Sequence, residues 1–215
     1  MAARPRRGAV TTRVFAAHPG RGRAASWFGV VGGACHDAAV TLTQYYVASS
    51  IDGFIADPDG GLDWLMQFND VEGVGRHYER FIADVGAIAM GSRTYEFVLG
   101  ENVPWPYTDR PAWVFTSREL PAIPGADVRF TSDDVAAVHA ELVEAAGERN
   151  IWLIGGGALA AAFAARGLLD EIWLGVAPVT LGAGAPLLPV RIDKPMRLTA
   201  VTRFGDTFVE LRYRL

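Results

Sequence analysis

The feature that constrains this chain most is a run near its middle, Ile151-Trp152-Leu153-Ile154, which passes without a polar break into Gly155-Gly156-Gly157 and then into an alanine-rich stretch, Ala158 to Ala165. Four consecutive apolar residues bounded by glycine read as a strand covered on both faces. The alanines after the glycines read as a helix, with Gly167 at its end. Such a strand–turn–helix unit belongs to a layered α/β protein, in which helices shield a largely parallel sheet.

The same grammar recurs on both sides. Residues 44–49 and Ala87-Ile88-Ala89-Met90 read as buried strands, and so does Ala112-Trp113-Val114-Phe115. A further strand is expected over 127–130 and another over 171–176. Helices are expected over 62–68, 72–84, 93–99 and 158–165. Thr131 and Asp134 have capping-box spacing ahead of the stripe Val135, Val138, Leu142 and Val143, with Gly147 as the terminal glycine. The chain ends in a hairpin, 196–204 and 207–215 around Gly205-Asp206, in which Val209, Leu211, Tyr213 and Leu215 alternate with Glu210, Arg212 and Arg214. The expected fold is therefore a mixed, mostly parallel sheet with helices on both faces and an antiparallel hairpin at one edge.

Residues 1–42 differ in composition. Six arginines precede the first acid, Asp37, and alanine and glycine dominate. A targeting peptide, a disordered tail and a false start site all fit this text, and the folded domain is taken as 43–215. The rest of the composition excludes several classes. The net charge of −4 argues against a nucleic-acid partner. One cysteine, Cys35, permits no internal disulfide. The four histidines show no ligand spacing, so no metal is expected. No apolar run reaches the ~18 residues that cross a membrane, and a cytoplasmic protein is expected. His77 reads as solvent-facing beside Arg76 and Glu79, and His139 as structural. Trp105, Trp113, Trp152 and Trp173 read as core or pocket wall.

In an open α/β sheet, ligands bind beyond the carboxyl ends of the strands. Three such ends carry suitable residues. Gly155-Gly156-Gly157 lets backbone approach a phosphate at a helix N-terminus. Gly91-Ser92-Arg93-Thr94 offers a glycine, hydroxyls and a cation at another. Thr116-Ser117-Arg118 adds two hydroxyls and a guanidinium. Each reads equally as a turn or cap when taken alone, but three together suit an extended ligand with several phosphates. The loop 50–63 holds Asp52, Asp57, Asp59 and Asp63. Asp63, beside Trp64, could bind the amidine-like edge of a heterocycle, while the others suit turns.

These segments, in this order, resemble the dihydrofolate reductase-like superfamily: Val47-Ala48-Ser49-Ser50-Ile51-Asp52-Gly53-Phe54-Ile55-Ala56, Met90-Gly91-Ser92-Arg93-Thr94-Tyr95-Glu96, Val114-Phe115-Thr116-Ser117-Arg118 and Ile154-Gly155-Gly156-Gly157. Gly167-Leu168-Leu169-Asp170-Glu171 and residues 177–184 are similar to the reductase domain of the riboflavin-biosynthesis deaminase-reductase branch. The resemblance implies NADPH across the strand ends. Gly91, Ser92, Arg93 and Thr94 would hold phosphate. Thr116, Ser117 and Arg118 would meet the adenosine 2′-phosphate. Gly155, Gly156 and Gly157 would pass beneath the pyrophosphate, with Ala48 and Leu159 also against the cofactor and a cis peptide between Gly155 and Gly156. Asp63 would be the catalytic carboxylate, and Asp52, Trp64 and Arg110 would meet the substrate.

The resemblance also implies a homodimer and a small substrate, either a pterin or a ribosylaminopyrimidine. Ala158, Ala160 and Gly175 depart from residues frequent in dihydrofolate reductases, and no zinc-deaminase signature is present. The expected activity is NADPH-dependent hydride transfer. The alternatives are a non-catalytic NADPH-binding module or redox sensor, and a nucleotide-binding protein without nicotinamide specificity.

Overall fold

The computed structural model describes residues 41–101 and 104–215. The expectations for an N-terminal extension lie almost wholly outside the described residues. The elements are, in chain order, β1 (Thr43–Ser50), β2 (Phe54–Ala56), α1 (Asp63–Met66), α2 (Val74–Ala83), β3 (Val85–Gly91), α3 (Ser92–Gly100), β4 (Ala112–Phe115), β5 (Val128–Thr131), α4 (Val135–Ala146), β6 (Asn150–Gly155), α5 (Gly157–Ala165), β7 (Glu171–Ala177), β8 (Ala185–Pro186), β9 (Arg197–Phe204) and β10 (Phe208–Arg214). The main sheet has eight strands in the order β5-β4-β3-β6-β1-β7-β10-β9. From β5 to β7 every pairing is parallel, and β10 and β9 close the edge antiparallel. This is the mixed sheet with a terminal hairpin that the sequence implies. The short strands β2 and β8, which the sequence reading leaves inside loops, pair with each other across the chain.

The apolar run of β6 divides by side-chain alternation between two cores. Ile151 and Leu153 pack with Tyr45, Trp113 and the inner faces of α4 and α5. Trp152 and Ile154 pack on the opposite face with Tyr78 and Phe81 of α2 and Tyr95 of α3. A sheet buried on both faces leaves no polar position in its central strand, which is why β6 reads so plainly in the sequence.

Two local expectations are corrected. Thr131 does not cap α4; it is the last residue of β5, and its Oγ1 accepts from the Asp133 amide at 3.0 Å. The cap is Asp134, which accepts from Ala136 N at 2.9 Å and also holds Arg166 through both carboxylate oxygens. Asp134→Ala is therefore expected to lower the unfolding free energy by about 1 kcal/mol, measured by urea denaturation. His77 does not face solvent: its Nε2 lies 2.7 Å from Glu210 Oε2, in a side chain only 13% exposed. The hairpin alternation is present as expected, and its polar face is covered at Glu210, which is 1% exposed. Helix α2 covers that polar face, whereas Leu198 and Val201 on β9 stand open on the other.

Candidate cofactor and substrate site

The strand register sets three turns side by side. Met90 of β3 pairs with Gly155 of β6, and Gly91 pairs with Phe115 of β4. The three segments 91–94, 116–118 and 155–157 therefore leave the sheet at one level, at the carboxyl ends of three adjacent strands. Two of them open helices. α3 follows Gly91 and α5 follows Gly156, each without a side-chain cap, so no side chain takes up the amides that open these helices.

Their mutual fit depends on glycine. A Cβ on Gly155 would sit 2.9 Å from Thr94 Oγ1, so the Thr94 side chain occupies that space. Gly156 turns the chain with φ of +89°, a conformation that costs other residues strain. The cis peptide expected between Gly155 and Gly156 is absent, and all described peptide bonds are trans. The left-handed φ of Gly156 makes the turn instead. At Gly91 a Cβ would meet nothing within 4 Å, so the cradle is open above that residue.

In the turn after β4, Thr116 Oγ1 accepts from the Arg118 amide at 3.0 Å and shapes the loop. Ser117 is exposed. The Arg118 guanidinium meets Glu96 of α3 through two bonds of 2.8 and 2.7 Å. Hydrogen bonding from Arg118 holds the Glu96 carboxyl below its usual range. Ser92 and Arg93 lie in the first turn of α3, with Arg93 exposed. Leu159 does not join them: its side chain is in the core beneath α5, and its amide donates to Gly156 O.

Over the neighbouring strands β1, β7 and β10, a cavity of about 80 Å³ lies between the sheet and the α1–α2 segment. Tyr46 and Ala48 of β1, Leu65 and Phe68 near α1, Tyr78 of α2, Gly175 of β7 and Phe208 of β10 line it, and Asn69 adds an amide. Ala48 thus faces this cavity. Phe208 explains Gly175: a Cβ there would lie 2.6 Å from the ring carbon Cζ. The aromatic ring fills the space that a threonine side chain would take. Burial raises the pKa of both tyrosines, and at Tyr46 the Glu210 carboxylate raises it further.

The remaining sequence candidates fall outside this arrangement. Asp63 opens α1 but is exposed and does not line the cavity. Trp64, beside it, is half-buried, and its indole nitrogen is buried without a hydrogen-bond partner. Asp52 accepts from Ser50 Oγ at 2.6 Å and from the Leu181 and Gly182 amides, tying the end of β1 to that turn. The Ser50 hydroxyl is the main reason its carboxyl is held low. Arg110 lies at the other end of the strands. Its Nη1 donates to Ile82 O at 2.6 Å and Val85 O at 2.9 Å, and the rest of the fork grips Asp109. It closes the end of α2 and is not free to meet a substrate.

The sequence reading missed Tyr46, Phe68, Tyr78 and Phe208 as walls, and Glu96 as the partner of Arg118. Glu96 carried one signal, since it follows Arg93 by three residues on one helix and shares its face. The aromatic walls carried none, being spread over 46–208.

Strand order and helix placement together define a dihydrofolate reductase-like α/β fold, and similarity to known proteins agrees. The chain belongs to the RibD C-terminal domain family, whose model matches residues 42–209. It is similar to the uncharacterized protein YwjB of Bacillus subtilis (strain 168), at 35% identity over 173 residues, covering 80% of this chain and 96% of that one. The YyaP protein of the same organism is 26% identical over 179 residues, covering 78% of this chain and 91% of that one. Among solved structures, a Shewanella sp. PV-4 protein superposes with a TM-score of 0.71 at 24% identity, covering 81% of this chain and 99% of that one. The Thermotoga maritima diaminohydroxyphosphoribosylaminopyrimidine deaminase/5-amino-6-(5-phosphoribosylamino)uracil reductase superposes at 0.58 with 18% identity, over 81% of this chain and 56% of that one. No described helix is long and apolar enough to cross a membrane, and the described residues contain no group of metal-binding side chains.

Proposed function

We propose that this chain is an NADPH-dependent reductase of a small heterocyclic substrate in the pterin or ribosylaminopyrimidine class. The observation that carries this reading is the level exit of three phosphate-suited turns from β4, β3 and β6, with an aromatic cavity over the adjoining strands from β1 onward. When bound, NADPH supplies the hydride. The amides opening α3 and α5 bind phosphate, with Ser92 and Arg93 beside them. Arg118 and Ser117 bind the adenosine 2′-phosphate. Tyr46, Phe68 and Phe208 give the cavity flat apolar walls that orient a planar ring and exclude water.

Arg110 is committed to Ile82, Val85 and Asp109, so a substrate tail with a carboxylate finds no partner there. One observation favours the alternative of a non-catalytic NADPH-binding module: Asp63 stands in solvent, outside the cavity. Turnover separates the two readings. The full chain is incubated with NADPH and a panel of pterins and aminopyrimidines, and absorbance of the reduced nicotinamide is followed. Consumption dependent on the second substrate supports the reductase, and tight NADPH binding without consumption supports the module.

The cofactor assignment has its own test. Arg118→Ala is expected to weaken NADPH binding about ten-fold, the scale of one lost charge-assisted bond. NADH binding should change little, as read by fluorescence titration. Absence of binding by either nucleotide would remove the reductase reading altogether.

A further inference from the structure

We infer that Glu96 governs discrimination between the two dinucleotides, because its carboxylate holds Arg118 in advance and competes with the adenosine 2′-phosphate for it. This rests on the cofactor reading above and extends it to a residue with no part in that reading. Glu96 Oε1 and Oε2 accept from Arg118 Nη1 and Nη2 at 2.8 and 2.7 Å, a parallel fork of two bonds. The two side chains remain 39% and 54% exposed, so an incoming anion can reach the pair from solvent. Arg93, in the first turn of the same helix, also acts on the Glu96 carboxylate. The carboxylate thus lies in the field of both cations that flank the nucleotide turns.

A guanidinium meets a phosphate best through the same paired donors that now meet Glu96. A 2′-phosphate must therefore share the fork or displace the carboxylate, and its two negative charges lie close to a third. The 2′-hydroxyl of NADH brings no charge and can donate to Glu96. The carboxylate therefore narrows the preference for NADPH. Both side chains are exposed and a single exposed ion pair is a small part of a domain's stability, so Glu96→Gln leaves the fold intact while changing the charge that the phosphate meets.

The test is a titration of full-length protein with NADPH, NADH, adenosine 2′,5′-bisphosphate and AMP, for the wild type, Glu96→Gln, Arg118→Ala and the double variant. Glu96→Gln is expected to bind NADPH and the bisphosphate about five-fold more tightly, the effect of removing one nearby exposed charge. NADH and AMP should be unchanged or weaker. The gain should vanish in the Arg118→Ala background. Unchanged or weaker NADPH binding by Glu96→Gln, with the wild type still binding, overturns the inference: Glu96 would then only hold Arg118 in place. If no nucleotide binds any of the four proteins, the cofactor reading fails and the inference fails with it.

Discussion

Glu210→Ala should lower the unfolding free energy by about 3 kcal/mol and the melting temperature by about 10 °C. Glu210 is 1% exposed, and its two oxygens are taken up separately. Oε2 lies 2.7 Å from His77 Nε2, and Oε1 accepts from Arg212 Nε at 2.8 Å. The Arg212 guanidinium is in turn stacked 3.4 Å above the Trp173 ring. Deleting the carboxylate leaves that cation beside apolar walls with its main counter-charge gone. Arg212 is 26% exposed and regains some water, which keeps the cost near the lower end of the range for broken buried pairs.

Burial alone would raise the Glu210 pKa, but the bonds from His77 and Arg212 outweigh it and hold the carboxyl below 4.5. A depressed folded-state value means that the stabilisation is complete above the unfolded carboxylate pKa. It is lost as pH falls through the folded value. Urea denaturation from pH 7 to pH 3 should therefore show a steeper acid loss for the wild type than for Glu210→Gln, with the two curves converging in acid. Parallel curves would show that the carboxylate is not ionised by these partners.

Glu210 also marks where sequence reading stops. The alternation along β10 assigns residues to two faces but does not say which face is covered. That choice is made by α2, more than a hundred residues earlier, which brings His77 and Phe81 onto the polar side. The central strand needed no such information, because both faces of Trp152 and Leu153 are buried. The stripe of α4 was legible for local reasons at Val135, Val138 and Leu142, though Val143 is exposed and Ala146 takes the buried place, and the Gly205 turn was legible too. Arg110 was not, since its acceptors Ile82 O and Val85 O are backbone atoms with no side-chain signature. Strands β2 and β8 are three and two residues long and stabilise each other only across the fold. The three turns at the strand ends were readable as turns because each is a contiguous run whose glycines and hydroxyls announce one. The cavity was not, because its walls come from five elements.

Gly157→Ala tests whether those turns depend on the segment packed against the start of α5. Gly157 is the first residue of α5 and has no positive φ. In an unconstrained helix the change to alanine would be favourable by about 1 kcal/mol. Here a Cβ would come within 2.1 Å of Pro186 O and 2.6 Å of Leu187 O, both backbone atoms. Neither is the end of a flexible side chain. Pro186 is paired with Phe54 of β2, Leu187 N donates to Gly53 O at 2.9 Å, and Leu187 O accepts from Tyr45 Oη at 3.0 Å. The clash must therefore move either α5 away from the site or the β2–β8 pair away from the end of β1. Overpacking of this kind costs about 3 kcal/mol, more than the helical gain returns. NADPH affinity is expected to fall more than ten-fold, since the amides of α5 shift with it. Gly167→Ala is the control: its φ is +67° but a Cβ there meets nothing within 4 Å, so it should cost about 1 kcal/mol and leave NADPH binding intact. A Gly157→Ala protein as stable as the wild type and equally tight for NADPH would mean that residues 185–187 do not seat against α5, and that the position of α5 is set by something else.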